Sequence, residues 1–537
     1  VIRGPGAVAW GTNAVNGVVN IITRSSSGAN GGSVVAGLDP AGGDFAAARY
    51  EGRFSDETTY RTFVKYQSAD ANQLLDGTPT DDDWSLLRAS FRTDRKIGNK
   101  ELKLTVEGYT GELGSTQLSY APAPPYSMLS EDDSDVSGAF VLGQWSVNHS
   151  DNSHTSGQAY IDFTDRESYL YNEERTTYSI DLQHHRDLGR HELVMGGWAR
   201  FNRYELGGSG VIQFIQNIES DNVISAFIQD EISLVEDRLS LTVGIKLEDN
   251  ELSPDDIEFM PTVRLLWKPV EDHTLWAAVT RAVRTPSIAD LSAQVQDIVP
   301  ALPPGDPLNP SPVPARVGSI GNPQFESESN VAFELGARGQ LRSDLSYDVA
   351  LFTMEYDDVR SFSPQNIVCV PSGVSYIFDP TCVFSAESVL AVYAFTNINE
   401  STVSGFEATL DWMPGKNLRL RGAVSYAHED AVEDPLTLPV AGTYPEWQYS
   451  LRSEWSPTEH IDVGALVRYV DEIDFRSIDD YWQANLHVRW QSDDNWVLSM
   501  GVRNLLDDAT VEYPSELGDI PKTAIERTAF LNLRYSF

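Results

Sequence analysis

The chain has 537 residues and a formal net charge of −40, and no run of it is apolar enough to cross a membrane as a helix. That charge excludes nucleic acid as a partner, because polyphosphate binding needs a basic footprint. Acid-rich disordered chains are poor in aromatics, whereas this one holds 12 Trp, 22 Tyr and 21 Phe, so its acid decorates something folded.

The first stretch reads Val1-Ile2-Arg3-Gly4-Pro5-Gly6, then Trp10-Gly11-Thr12-Asn13, then Gly17-Val18-Val19-Asn20-Ile21-Ile22-Thr23. Its glycines permit tight turns and close approach of neighbouring chain, and Val18–Ile22 reads as a short apolar strand. A phosphate-binding loop is the competing motif, and it fails because no Gly-Lys-Ser/Thr follows. The sequence starts at Val1 without Met or a signal-peptide pattern, so further chain is expected upstream.

From about Gly32 onward, period-2 alternation recurs to the last residue. In the clearest case Leu239, Leu241, Val243, Ile245 and Leu247 alternate with Ser240, Thr242, Gly244, Lys246 and Glu248. The segments run about 10–14 residues, against about 5–6 for a globular strand and about 9–11 for a tilted strand crossing a bilayer. They number 22, from 32–38 to 525–537. Every connection after an even-numbered segment is short, as at Ser55-Asp56 and Pro457-Thr458, whereas 111–134, 283–325 and 357–393 follow odd ones. Short turns at one rim and long loops at the other are the layout of a transmembrane barrel, whose closure leaves no unpaired backbone in lipid. Trp267, Trp276, Trp455, Trp490 and Trp496 sit near segment ends, where interfacial aromatic belts lie. The fold expected is therefore all-β: a 22-stranded antiparallel transmembrane β-barrel over 32–537, preceded by a separate piece over 1–31.

The segment Val1–Thr23 resembles the motif that closes the plug domain of TonB-dependent outer-membrane receptors, with Trp10 where Tyr is more usual. Arg3, Gly4, Pro5, Gly11, Asn13, Gly17 and Asn20 carry the match. The likeness continues through Pro261-Thr262-Val263-Arg264, Ala282-Val283-Arg284-Thr285-Pro286-Ser287, Phe333-Glu334-Leu335-Gly336, Gly405-Phe406-Glu407 and the terminal Arg534-Tyr535-Ser536-Phe537. Residues 1–31 are accordingly expected to be the C-terminal remnant of a plug. The resemblance implies a monomer in the bacterial outer membrane, among lipid and lipopolysaccharide. It implies active uptake of a scarce small-molecule ligand, energised by the TonB complex through an N-terminal box upstream of Val1. An iron–siderophore complex is the leading cargo. Cobalamin or an oligosaccharide carried by the same mechanism is the alternative, or passive diffusion as a porin were the plug absent. No catalytic constellation stands out, and the chain is not expected to be an enzyme.

Arg3, carried inside a lumen by the plug, needs carboxylate partners, because an unpaired buried charge costs several kcal/mol. The glutamates at the matching family positions are Glu328 and Glu407, so an Arg3–Glu328/Glu407 latch between plug and barrel is expected. Cys369 and Cys382 are either two free thiols or one local pair on sequence alone. On the external side of an outer membrane, an oxidising setting, a disulfide is expected. Seven prolines between Pro300 and Pro314 make the 283–325 connection stiff, either a lid or an extended surface loop. His184 and His185 are adjacent on a strand and face opposite ways, so with His191 they do not form a metal site. No cofactor is expected, although acidic external loops with Asp70, Asp76, Asp81, Asp82, Glu112 and Glu131–Asp133 are candidate Ca²⁺ ligands. Their acidity weighs against an anionic cargo. Tyr120, Tyr126, Tyr376, Tyr444 and Trp447 in the loops are the candidates for stacking on a ligand.

Overall fold

The computed structural model describes the chain except residues 1, 27–29, 40–42, 122, 255–256, 298–300, 433–442, 474–477, 493–494 and 513–520, and describes the backbone only of Ile2, Arg3 and Ala7. Twenty-two strands close into one antiparallel barrel. In chain order they are β1 (Gly31–Leu38), β2 (Asp44–Ser55), β3 (Thr58–Ala69), β4 (Trp84–Ile97), β5 (Lys100–Tyr120), β6 (Ser127–Ser150) and β7 (Ser153–Glu167). Next come β8 (Tyr171–Asp187), β9 (His191–Gly208), β10 (Ser220–Val235), β11 (Leu239–Asn250), β12 (Glu258–Val270), β13 (His273–Arg284) and β14 (Glu328–Arg342). The last eight are β15 (Leu345–Val370), β16 (Ser388–Gly415), β17 (Leu418–Val432), β18 (Trp447–Thr458), β19 (Ile461–Val470), β20 (Tyr481–Gln491), β21 (Trp496–Arg503) and β22 (Thr528–Ser536).

The ring closes where β1 meets β22, with Ser33 opposite Ser536. Gly32 N–H donates to the Phe537 carbonyl at 2.8 Å and Phe537 N–H returns a bond to Gly32 at 2.9 Å. Gly31 sits at φ +136°, where any Cβ would run into the Phe537 carbonyl, so the seam requires glycine. The alternation places apolar side chains outward. On β8, Tyr178, Ile180 and Leu182 are exposed to the lipid side while Thr177 and Ser179 are buried on the lumenal side. Trp267, Trp455, Trp490 and Trp496 stand exposed at the short-turn rim. At the other rim Tyr449, Tyr469 and Trp482 form a chain of ring contacts at 5.8 and 5.1 Å.

Four strands are longer than their alternation predicts. β5 and β6 stay paired out to Tyr120 and Ser127, and β15 and β16 out to Val370 and Ser388. Most of 111–134 and 357–393, expected as loops, is therefore hairpin that projects past the wall. Beyond the bilayer both faces of a hairpin meet water, so the hydrophobic alternation stops although the backbone pairing continues. The β15–β16 hairpin ends in a disulfide between Cys369 and Cys382, whose Cα atoms are 6.1 Å apart. Val383 and Val389 are buried against it, with Val313 and Tyr376 packed around them.

The connection from β13 to β14 is neither a free loop nor a detached lid. Ala293–Val295 pairs with Ile212–Phe214 from the β9–β10 connection and with Ile320 and Ser319. Ala315–Ile320 then runs parallel to Val389–Ala394 of β16. The result is a narrow paired strip that ties the β9–β10 connection to the β16 wall. Below it, Leu291, Phe325 and Phe395 form a buried cluster with Ile218, Leu252 and Phe362.

Candidate functional site

The N-terminal segment lies inside the barrel. Ile2–Arg3 pairs with Gly17–Val18, and between them Ala7–Trp10 makes one helical turn. Gly6 N–H closes this loop on the Ala14 carbonyl at 3.0 Å. Gly4 and Gly11 both have positive φ, and a Cβ on them would overlap the carboxylates of Glu334 and Glu248 respectively. These glycines let the segment lie directly against the wall. Thr12 Oγ1 donates to Glu248, a fully buried carboxylate whose other neighbour is Lys246 at 3.8 Å. Asn13, at φ +68°, donates its N–H to the Val283 carbonyl at 2.7 Å, and its side-chain nitrogen reaches Thr285 Oγ1 at 3.4 Å. Tyr356 donates to Asn16 at 2.7 Å. Further along, Arg92 donates to Thr23 at 2.6 Å and Ser26 N–H to Asp94 at 2.9 Å. Asn20 is exposed.

The latch expected from Arg3 falls on a side chain outside the described residues. Its partner Glu328 is engaged within the barrel, accepting from Arg284 at 2.7 Å and from the Arg360 N–H at 3.1 Å. Glu407 stands on β16 opposite Ala350 and Ser425. The carboxylates that meet the described part of the N-terminal segment are Glu248 and Glu334, with Asp94 on Ser26 at its far end. No motif position pointed to Glu248; its signal was an acidic residue at an inward position of the most regular strand.

Above Asn13 the lumen opens into a cavity of about 1520 Å³. Asn13 contributes to its floor, and Ala293, Val295 and Ser319 of the paired strip contribute from above. Four arginines line it: Arg175 on β8, Arg200 on β9, Arg284 on β13 and Arg360 on β15. Aromatic rings stand between them, among them Tyr160, Tyr171, Tyr204, Phe214, Phe362 and Phe395. The lining carboxylates are Asp162, Glu173, Asp221 and Asp290, so the formal charges balance and the pairing decides the character. Asp290 is 2% exposed at the side chain and is held by Arg284 at 3.0 Å, Arg360 at 3.5 Å and the Ser287 N–H at 2.9 Å. Asp221 accepts from Asn202 at 3.1 and 3.0 Å, and Asn202 in turn accepts from Thr177 at 2.8 Å. Arg175 has Glu173 at 3.4 Å. Arg200 lies 5.2 Å from the Trp198 ring and has no ion pair among the described residues. The Nε atoms of Arg175 and Arg200 are buried, and among the described residues they bond to nothing. Guanidinium groups combined with aromatic faces suit a negatively charged ligand that carries aromatic rings.

The loop aromatics chosen from sequence do not line this cavity. Tyr120 lies under Arg316, whose guanidinium is 4.4 Å from the ring, and Tyr376 packs on the disulfide. Trp447 stacks on Tyr449 at 5.7 Å, Tyr126 turns the β5–β6 hairpin at φ +68°, and Tyr444 precedes β18. The acidity of the outer loops likewise says nothing of the cavity below, where arginines gather. His184 bonds Thr155 at 2.9 Å, His185 Glu192 at 2.8 Å and His191 Asp230 at 2.7 Å, each with its own partner. Among the described residues no three His, Cys, Asp or Glu side chains are grouped to hold a metal ion.

A closed lipid-facing barrel, with an internal segment bonded along its lumen and a cavity above that segment, defines an outer-membrane receptor with an occupied channel. The chain belongs to the TonB-dependent receptor family: the family model for the TonB dependent receptor-like β-barrel matches residues 47–505. It is 22% identical over 488 residues to an iron-regulated outer membrane virulence protein of Vibrio cholerae, covering 87% of this chain and 68% of that protein. Among solved structures it resembles a mutant ferric enterobactin receptor of Pseudomonas aeruginosa in complex with enterobactin (TM-score 0.76, 16% identity, all of this chain and 85% of that one). The ferripyoverdine receptor of the same organism is similar at TM-score 0.74 and 14% identity, over all of this chain and 75% of that one.

Proposed function

We propose that this protein imports a ferric siderophore across the outer membrane, binding it in the arginine- and aromatic-lined cavity above Asn13. The observation that carries this reading is the convergence of Arg175, Arg200, Arg284 and Arg360 with aromatic rings on one lumenal cavity. These residues line a cavity large enough for a metal chelate, in a family whose similar structures include siderophore receptors. Release through the lumen requires the plug segment to move, and coupling to the TonB complex supplies that work. Cobalamin and oligosaccharides carry less negative charge to meet the lining arginines, and neither is favoured by the cavity.

The test is uptake of radioactive iron by iron-starved cells that lack their own receptors and express the full-length protein. Iron(III) tris-catecholate, a neutral ferric hydroxamate and cobalamin are compared, with and without an inner-membrane proton gradient. Gradient-dependent uptake of the anionic chelate above the other two is expected. Uptake that ignores the gradient would make the protein a passive pore, and preference for cobalamin would reject the siderophore reading.

A further inference from the structure

Three consecutive residues at the end of β13 face two different occupants of the lumen. Val283 accepts the backbone N–H of Asn13, and Thr285 Oγ1 receives the Asn13 side chain at 3.4 Å and Asn250 at 3.1 Å. Val283 also forms a buried cluster with Met260 and Ala282, against which Val15 of the plug segment packs. Between these two grips stands Arg284, which lines the cavity. Its guanidinium is shared by two carboxylates, Glu328 on the wall at 2.7 Å and Asp290 at 3.0 Å. Asp290 belongs to the short helix Ile288–Ser292, where it also accepts from the Ser287 N–H and hydroxyl, both at 2.9 Å.

We propose that Arg284 couples occupancy of the cavity to the plug segment, because an anionic ligand and Asp290 compete for its guanidinium. This inference rests on the reading of the cavity as an anion site. Of the five N–H donors of Arg284, one on Nη1 serves Glu328 and one on Nη2 serves Asp290, so a ligand anion that forks onto Nη2 draws the guanidinium out of line with Asp290. When a ligand anion takes the prong that now faces Asp290, the Arg284 backbone follows its side chain, and the flanking Val283 and Thr285 lose their register with Asn13. The carboxylate left behind is not stranded, since Arg360 stands 3.5 Å from its other oxygen and the Ser287 bonds remain. That second partner makes the exchange inexpensive, and it distinguishes Asp290 from Glu248, whose displacement would strand a buried charge.

The experiment uses the full-length protein in detergent micelles with a spin label at Val19→Cys, an exposed plug position; the native cysteines are tied to each other. Iron(III) tris-catecholate is the probe, and heat-modifiable migration confirms that each variant barrel is folded. In the parent, saturation with probe is expected to raise label mobility. In Arg284→Gln the probe binds about tenfold more weakly, the loss of one charged hydrogen bond, and the label no longer responds to the probe even at saturation. Arg284→Lys, which keeps the charge without the fork, falls between. Asp290→Asn frees Arg284, so the label is mobile without probe and the probe binds about fivefold more tightly. A label that responds fully in saturated Arg284→Gln overturns the coupling, as does an Asp290→Asn variant with parental mobility and affinity. If the parent does not bind the probe, the anion-site reading fails. The grip of Arg284 on the plug segment is then judged by the probe-free Asp290→Asn label, mobile in support and rigid in refutation.

Discussion

On the wall where the N-terminal segment lies, Lys246 and Glu248 have side chains 4% and 0% exposed and stand 3.8 Å apart. Further round the lumen, on β16 and β17, Asp411 receives Arg419 and Arg421 at 2.6 Å each, with arginine side chains 44% and 47% exposed. The residue types are alike, and both groups face inward from the barrel wall. Their consequences differ because one pair has exchanged water for the segment Gly11–Thr12 and the other has kept it. Burial makes the first a structural commitment; solvent makes the second nearly neutral. A lumen that looks uniformly polar in sequence is thus divided into a dry docking wall and a wet one.

The largest effect should come from breaking the dry pair. Glu248→Ala leaves Lys246 buried without its partner and removes the acceptor of Thr12, at a cost of about 3–5 kcal/mol. Urea unfolding in micelles, with release of the N-terminal segment followed by limited proteolysis, measures it. Next in size is the external hairpin. Cys382→Ser unties Cys369, and loop-closure entropy puts the loss at about 3 kcal/mol. The loss is confined to the hairpin, read as faster cleavage at 371–387 with the barrel still heat-modifiable. The smallest is the wet cluster, where Arg421→Ala is expected to change stability by about 0.5 kcal/mol or less, since Arg419 still holds Asp411. A loss as large as that of Glu248→Ala would erase the division between the two walls.

Outside the bilayer the same contrast can be read by pH. Burial opposes ionisation of Asp82, but bonds from the Asn72 side chain and backbone and from Thr80 outweigh it and hold the carboxyl below its usual range. A carboxyl with a depressed folded-state pKa adds stability above its unfolded value, about 3.9, and loses it as pH falls through the folded value. The 70–83 connection should therefore resist proteolysis near neutrality and open below about pH 4, whereas Asp82→Asn, which mimics the protonated carboxyl, should be cleaved faster already at neutrality and change little on acidification.

The wall of the barrel was legible because lipid enforces one rule on every outward position. Tyr178, Ile180 and Leu182 had to be apolar, and their spacing gave the strand. The rule ends at the rim, so the hairpins reaching Tyr120 and Val370 carried no alternation and read as loops. Inward positions obey no single rule either. Arg175 and Arg200 were visible as polar residues alternating with lipid-facing ones, but their convergence with Arg284 and Arg360 depends on barrel curvature and on the strip over 293–320. Aromatics in the outer loops were plausible as a ligand surface, yet Tyr376 and Trp447 are consumed by packing. The partners of the plug motif were half legible: Gly4 and Gly11 announced close approach, without naming Glu334 and Glu248 as what they approach.

The central claim is that ligand binds among the lumenal arginines and not on the loop aromatics. Its most direct measurement is equilibrium binding of iron(III) tris-catecholate to the full-length protein, followed by the fluorescence of Trp198, whose ring is 5.2 Å from Arg200. Arg175→Ala with Arg200→Ala should weaken binding by about a hundredfold, two charged hydrogen bonds' worth, while Tyr120→Ala and Trp447→Ala leave it within about twofold. Unchanged affinity in the arginine variant together with loss in the aromatic ones would contradict it.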